Sequence, residues 1–393
     1  MASFPTNGDD VIFGTDADNT INSLGGNDQV FGGLGDDILQ GSTGDDMLSG
    51  GLGVDILVGG SGSDTAFYGF ASEDVRANLN LGFGFLTNLG QAADGDQFFS
   101  IENLTGGFGN DVLIGNSAAN VLKGNSGNDQ INGGAGRDTI DAGLGNDFVA
   151  GNEDNDVISG NGGDDIIRGG SGGDTMTGGL GSDTLDYAGI GPGVTIDLVL
   201  NTASGGDATG DVISGFENVT GTLAGDILSG TRGANILQSQ DGDDTLDGRS
   251  GNDYLNGQGG DDTIAGGSFN DLIVGSTGVD NLTGGTGADR FFFNGLADSG
   301  VAAGQRDIMT DFQQGSDRIE VNAIDAIAAT AADNGFTFIG TAGFTSGVAG
   351  EVRYNINAQG NTIISFRVDT SGGAGMQVEL TGAINLTAGD FIL

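Results

Sequence analysis

Cysteine, histidine and tryptophan do not occur in this 393-residue sequence, proline occurs twice, and Lys and Arg together number 11. Without cysteine no disulfide can staple a fold. Without histidine or cysteine, zinc, copper and haem lose their usual donors, so a resident metal has to be a hard cation held by oxygen. The same absences exclude Ser–His–Asp, Cys–His and zinc-protease chemistry. The few basic residues face 55 acidic ones, for a formal charge of −44, which is the wrong sign for nucleic acid. The opening MASFPTNGDDVIF has no basic stretch followed by an apolar run, so no cleavable leader is expected. No window is apolar enough to span a membrane. Apolar residues make up 36% and aromatics 7%, while glycine fills 81 positions. Such a polyanion should be expanded on its own, because like charges repel and glycine is costly to order. A cation must neutralise it before it can fold.

What is present is a repeat of nine residues. From Gly8 the chain reads in nines, as in SLGGNDQVF, GGLGDDILQ, GSTGDDMLS, GGLGVDILV and GGSGSDTAF. The acidic slot recurs at Asp10, Asp28, Asp37, Asp46, Asp55 and Asp64, with Asn19 in one place. A second run carries Asp111, Asn120, Asp129, Asp138, Asp147, Asp156, Asp165, Asp174 and Asp183; a third carries Asp226, Asn235, Asp244, Asp253, Asp262, Asp271, Asp280 and Asp289. These are 24 nonapeptides in runs of 7, 9 and 8. Two residues after each acid stands an apolar one, in the first run Ile12, Ile21, Val30, Leu39, Leu48, Leu57 and Ala66. The glycine-rich part can turn sharply at positive φ, and the triplet around the apolar residue forms a very short strand with that residue inward. Nine residues make a half-turn and eighteen a full coil. Asp28 then lies over Asp10, Asp55 over Asp37, and Asp147 over Asp129. Stacked carboxylates destabilise one another unless a divalent ion sits between them.

The pattern GGxGxDxUx, with U apolar, resembles the RTX (repeats-in-toxin) family, whose nonapeptides form a calcium-bound parallel β-roll. The resemblance implies an all-β fold of three calcium-stabilised rolls and names the 24 Asp and Asn slots above as metal ligands. Calcium accepts six to eight oxygens in flexible geometry, whereas magnesium demands a stricter octahedron. One ion for each pair of stacked loops gives roughly eighteen ions and about +36 of charge, close to cancelling the polyanion. At Asn19, Asn120 and Asn235 the charge is missing, so weaker sites or plain end turns are expected there.

Two inserts break the nines, which divides the chain into a roll (1–67), an insert (68–105), a roll (106–186), an insert (187–220), a roll (221–290) and a C-terminal region (291–393). The inserts resemble each other. One ends SIENLTGG and the other SGFENVTG, and each has an alternating stretch (VRANLNL, VTIDLVL) that reads as exposed hairpin strands. Each also holds an acidic patch, Asp94–Asp96 and Asp207–Asp211. Glu102 and Glu217 read as polar residues closing the hairpins rather than as extra ligands. Phe13, Phe31 and Phe67 share one outward face; the second run has Lys123, Asp141, Ser159 and Thr177 there. The first insert's own Phe70, Phe83, Phe85, Phe98 and Phe99 are expected to cover this strip.

The C-terminal segments Phe291–Val321, Gly350–Phe366 and the end LTAGDFIL resemble the exit of the repeats in serralysin-like and haemolysin-like proteins. That resemblance implies an uncleaved signal for the type I secretion apparatus, with Asp390 before Phe391, Ile392 and Leu393, and hence an extracellular or cell-surface location. Read from its residues alone, the same region is a β cap over an open roll end. In calcium-poor cytosol the chain would stay unfolded for export, and millimolar calcium outside would fold it. No enzyme is expected, since repeats begin at residue 8 and nothing singles out a catalytic pair among 55 acids. A structural surface, matrix, fibre or adhesion component is the leading expectation, with self-assembly as its partner chemistry. A soluble calcium buffer or a binder of cell-surface glycans is the alternative. Ice binding needs a regular Thr/Asn ladder, whereas Val11, Gln29, Met47 and Thr65 succeed one another here.

Overall fold

The computed structural model describes residues 5–86, 94–189, 191–327, 335–370 and 373–393. Among these the regular structure is almost wholly strand, with two short 3₁₀ segments, Gly206–Ala208 and Ala388–Asp390. No helix among the described residues is long and apolar enough to cross a membrane. The chain divides into two compact units. The first comprises Met1–Asp186 with Asp207–Phe216, and the second Tyr187–Gly206 with Glu217–Leu393.

In the first unit, strands pair in parallel with the strand eighteen residues on. Val11 faces Gln29, Gln29 faces Met47, and Ile38 faces Ile56. Two walls of such strands result, and each nonapeptide crosses from one wall to the other. One residue per nonapeptide fills the space between them: Val30, Leu48, Leu122, Ile140 and Met176 on one wall, Leu39, Leu57, Ile131, Val149 and Ile167 on the other, all 0–1% exposed. Burying such a side chain contributes about 1.5–3 kcal/mol, and one per nine residues makes a thin core. Ile21, in the first coil and paired with Leu39, is only half buried.

The inserts are not simple exposed hairpins. Val75–Asn78 is antiparallel to Phe83–Leu86 as a hairpin should be, but it also pairs in parallel with Val112–Ile114, and Val75 is fully buried. Asp94–Phe99 pairs in parallel with Ile56–Ser61 and Asn103–Thr105 with Thr65–Phe67. The alternating stretch had a buried face because it completes a coil. The second insert does the same: Thr195–Asp197 is antiparallel to Thr202–Ser204 and parallel to Ile227–Ser229, within the second unit.

The phenylalanine strip is covered in part. Phe13 and Phe31 stack with centroids 5.1 Å apart, and Phe70 packs on Phe31 and edge-on to Phe67. Phe98 instead lies buried beside Tyr68, Phe99 points outward, and Phe13 stays 62% exposed. The side chains of Phe85 and Asp94 and residues 87–93 lie outside the described residues.

In the second unit the coils run past the last nonapeptide. Arg290–Phe292 pairs with Arg318–Glu320, which pairs with Phe391–Ile392. An antiparallel sheet of Glu351–Ile356, Thr362–Arg367 and Met376–Leu380 joins the coils where Ile308–Met309 pairs with Met376–Leu380.

Candidate metal centre

The acidic slots form a ladder. The backbone N–H of each slot donates to the Oδ1 of the slot one coil later: Asp28 to Asp46 at 2.8 Å, Asp129 to Asp147 at 2.7 Å, Asp138 to Asp156 at 2.8 Å, Asp244 to Asp262 at 3.0 Å. The stacking expected of Asp28 over Asp10 and Asp55 over Asp37 is present as the same bond, 2.8 Å in each case. The slots later than the first coil of each run are carboxylates at 0–2% exposure. Burying a carboxylate is costly unless both oxygens find partners.

The second oxygen has none. Among the described residues, Oδ2 is buried and unpartnered in Asp28, Asp37, Asp46, Asp55 and Asp64; in Asp129, Asp138, Asp147, Asp156, Asp165, Asp174 and Asp183; and in Asp244, Asp253, Asp262, Asp271, Asp280 and Asp289. A carbonyl converges on the same space. A Cβ built on Gly124 would lie 2.2 Å from Asp129 Oδ2 and 2.3 Å from the Ala142 carbonyl oxygen. At Gly151 the two oxygens are Asp156 Oδ2 at 2.2 Å and the Gly169 carbonyl at 2.6 Å; at Gly32 they are Asp37 Oδ2 at 2.2 Å and the Gly50 carbonyl at 2.5 Å. Oxygens with free lone pairs, meeting where glycine leaves room, suit a hard cation. No three acidic side chains of the described residues meet as one metal cluster, so one or two carboxylates per site would be joined by carbonyls.

Six of the sequence-predicted ligands are different. Asp10 Oδ2 accepts the N–H of Thr6 at 2.6 Å, Asp111 Oδ2 that of Gly107 at 2.6 Å, and Asp226 Oδ2 that of Thr222 at 2.7 Å. Asn19, Asn120 and Asn235 accept through Oδ1 from Thr15, Asn116 and Thr231 at 2.6, 2.8 and 2.7 Å. The amides of Asn120 and Asn235 further donate to the carbonyls of Glu102 and Glu217, both at 2.6 Å. These six side-chain oxygens are therefore already met by hydrogen bonds, at Asn19, Asn120 and Asn235, where the sequence sets the slots apart, and equally at Asp10, Asp111 and Asp226. The cause lies four residues upstream. Before each of the eighteen orphaned oxygens that residue has positive φ, as at Leu24 (75°), Gly143 (116°), Asn152 (84°) and Gln258 (68°). Before the six it does not. A left-handed residue turns its N–H away and leaves the carboxylate free. The second glycine of the repeat is thus a site-determining position, a signal visible in sequence but easily lost where Leu24, Ser42 or Asn152 replaces it.

Other acids join the ladder without belonging to the nonapeptides. Asp55 N–H donates to Asp96 Oδ1 at 2.8 Å, and Asp96 Oδ2 accepts the Tyr68 hydroxyl at 2.7 Å. Asp64 N–H donates to Glu102 Oε2 at 2.9 Å, so Glu102 occupies an acidic slot rather than closing a hairpin. Asp174 N–H donates to Asp211 Oδ1 at 2.9 Å, and Asp280 N–H to Asp307 Oδ1 at 3.1 Å. Sequence register missed these because the inserts break the count of nine, although the spacing of acid to apolar residue survives at Asp96–Phe98 and Asp307–Met309. A second ladder runs outside in the opposite sense: Asn27 N–H donates to Asp9 Oδ1 and Asn146 N–H to Asn128 Oδ1, at 2.9 and 2.8 Å. The frequent Asn or Asp just before the acidic slot is its signature.

Burial dominates the electrostatics. Loss of water pushes Asp129, Asp156 and Asp165 up to about 7 and Asp262 up to about 8, with the carboxylates above and below adding to the shift. Backbone N–H bonds to Oδ1 oppose the shift without cancelling it. Protons can satisfy such groups below those values; above them a divalent cation would take that place.

The family model for the RTX calcium-binding nonapeptide repeat (4 copies) matches residues 4–39, 31–66, 100–121, 114–149, 150–185, 220–255 and 256–291, more than half the chain. No curated protein matches in sequence. Among solved structures, the AlgE6R3 and AlgE6R2 subunits of the Azotobacter vinelandii mannuronan C5-epimerase are similar at 27% and 26% identity. They cover 43% and 45% of this chain and 78% and 92% of their own, each with a TM-score of 0.25. The extracellular lipase LipA of Serratia marcescens is similar at 22% identity over 66% of this chain and 40% of its own, with a TM-score of 0.19. With its nonapeptides matched across three runs and their acids stacked in register, the chain belongs to the RTX calcium-binding repeat family.

Proposed function

We propose that this calcium-binding repeat protein is exported unfolded and folds outside the cell when calcium enters the stacked loops. In this reading it acts without catalysis as a stiff structural component of a surface coat, matrix or fibre. The observation that carries the calcium-driven fold is the file of eighteen buried, unpartnered carboxylate oxygens. Those carboxylates would make the metal-free roll costly, so ion-binding free energy becomes folding free energy. Asp28–Asp64, Asp129–Asp183 and Asp244–Asp289 would hold the ions with loop carbonyls. Calcium would supply the positive charge, while Oδ1 fixes each carboxylate by accepting the backbone N–H of the coil before.

Export through the type I apparatus rests on the likeness of the C-terminal segments to RTX exit regions. It also fits the fold, because Phe391 is buried and Asp390 Oδ1 accepts the Gly315 N–H at 2.9 Å. A signal at that end is readable only before folding. The structural role rests on the long parallel walls, and a soluble glycan-binding module remains the second reading because Phe13 and Phe70 stay exposed on the first roll. Circular dichroism with and without calcium, followed by electron microscopy of the loaded protein, tests the proposal. A coil-to-β transition and ordered fibres or lattices are expected. β-structure that persists in excess chelator would refute the folding mechanism, and dispersed monomers at high concentration would refute the structural role.

A further inference from the structure

Asp307 stands outside the nonapeptides, 27 residues after the Asp280 whose N–H it accepts. It is fully buried, and each of its other polar groups is tied down. Its N–H donates to Ser299 Oγ at 2.8 Å, that hydroxyl donates to the Gln377 carbonyl at 2.6 Å, and the Asp307 carbonyl accepts the Glu379 N–H at 2.9 Å. Oδ2 alone has no partner, and so does Oδ2 of Asp280 in the coil before. The charges acting on Asp307 are all negative, from Asp280, Asp298 and Asp262. The adjacent Arg306 does not offset them, because its guanidinium turns to Gln377 Oε1 at 2.9 Å and Glu379 at 3.7 Å. A buried carboxylate among carboxylates is unstable without a cation.

We infer that Asp307 and Asp280 hold a further divalent cation of calcium's class, beyond the repeats, where the coils meet the C-terminal antiparallel sheet. The inference rests on the reading that the aspartate ladder binds calcium. Ile308 and Met309, next to Asp307, pair with Glu379 and Leu380 of that sheet. Anchored there, the ion makes the docking of the strand Met376–Leu380 depend on calcium, so the sheet and the roll fold under one signal.

Asp307→Asn tests this in the full chain, because it keeps Oδ1 for the Asp280 N–H and removes the charge. Equilibrium dialysis against calcium should show about one ion fewer per chain. At limiting calcium, hydrogen exchange across 376–380 should quicken about tenfold, while the coils of 129–183 keep their protection. An unchanged ion count with unchanged exchange overturns the inference. If Asp307→Asn loses many ions, Asp307→Glu decides: a restored count supports the site, and a count still low overturns it. Wild-type protein that binds no calcium would sink the ladder reading itself, a result separable from equality of variant and wild type.

Discussion

Asp156→Asn should change the sign of its effect with calcium. The substitution keeps Oδ1, which accepts the Asp138 N–H at 2.8 Å, and replaces the orphaned Oδ2 by an amide. With calcium at a hundredfold over its dissociation constant, each ion lost removes about 2.7 kcal/mol. In chelator the same change removes a carboxylate that burial has pushed from 3.8 up to about 7. Once water around the loop is allowed for, that relief is worth about 2 kcal/mol at pH 8. Asn120 shows the relieved state, its amide donating to the Glu102 carbonyl at 2.6 Å. The assay is a pair of circular-dichroism titrations. Urea unfolding in excess calcium should shift to lower urea for the variant, and osmolyte-driven folding in chelator should shift to lower osmolyte. A variant destabilised equally in both media would refute the argument, because the orphaned oxygen would then be a packing feature and not a ligand.

Gly151→Ala places a methyl 2.2 Å from Asp156 Oδ2, where the cation would sit. Gly151 does not have positive φ, but the methyl also meets the Gly169 carbonyl oxygen at 2.6 Å, so the Gly169 backbone must give way locally and calorimetry should count about one ion fewer. Acidity should act oppositely in the two media. The acids raised to about 7 and 8 at Asp156 and Asp262 keep protons that the unfolded chain has released above 3.8. The metal-free roll is therefore favoured below the unfolded value and has lost that advantage once pH has risen through about 7–8. Lowering pH from 8 to 5 should reduce the osmolyte needed in chelator and raise the calcium needed for folding; parallel slopes would count against it. Tyr68→Phe removes the hydroxyl from Asp96 Oδ2 and leaves a buried carboxylate oxygen unmet. A loss of about 1–3 kcal/mol is expected in urea titrations with calcium, unless an extra ion takes the place of the hydroxyl.

The parallel roll, its inward residues and the acidic register were legible in sequence because a period of nine repeats often enough to override local ambiguity. Val30, Leu48, Ile140 and Leu246 are buried where the spacing puts them. The inserts were not legible to the same degree. A strand such as Val75–Asn78 can pair with its own hairpin partner or with a coil wall, and alternation alone does not choose between them. Asp96 and Asp307 were missed, and Glu102 was read as closing a hairpin, for the same reason, since their partners lie 41, 27 and 38 residues away.

The sequence by itself determined the family, the β-roll and the need for a cation, because charge and period are properties of composition and order. Only the tertiary structure decided which carboxylates are free to bind one. That choice depends on where a backbone N–H points: the residue four before each acid, left-handed in eighteen slots and not in six, sets whether the second oxygen is capped or left bare.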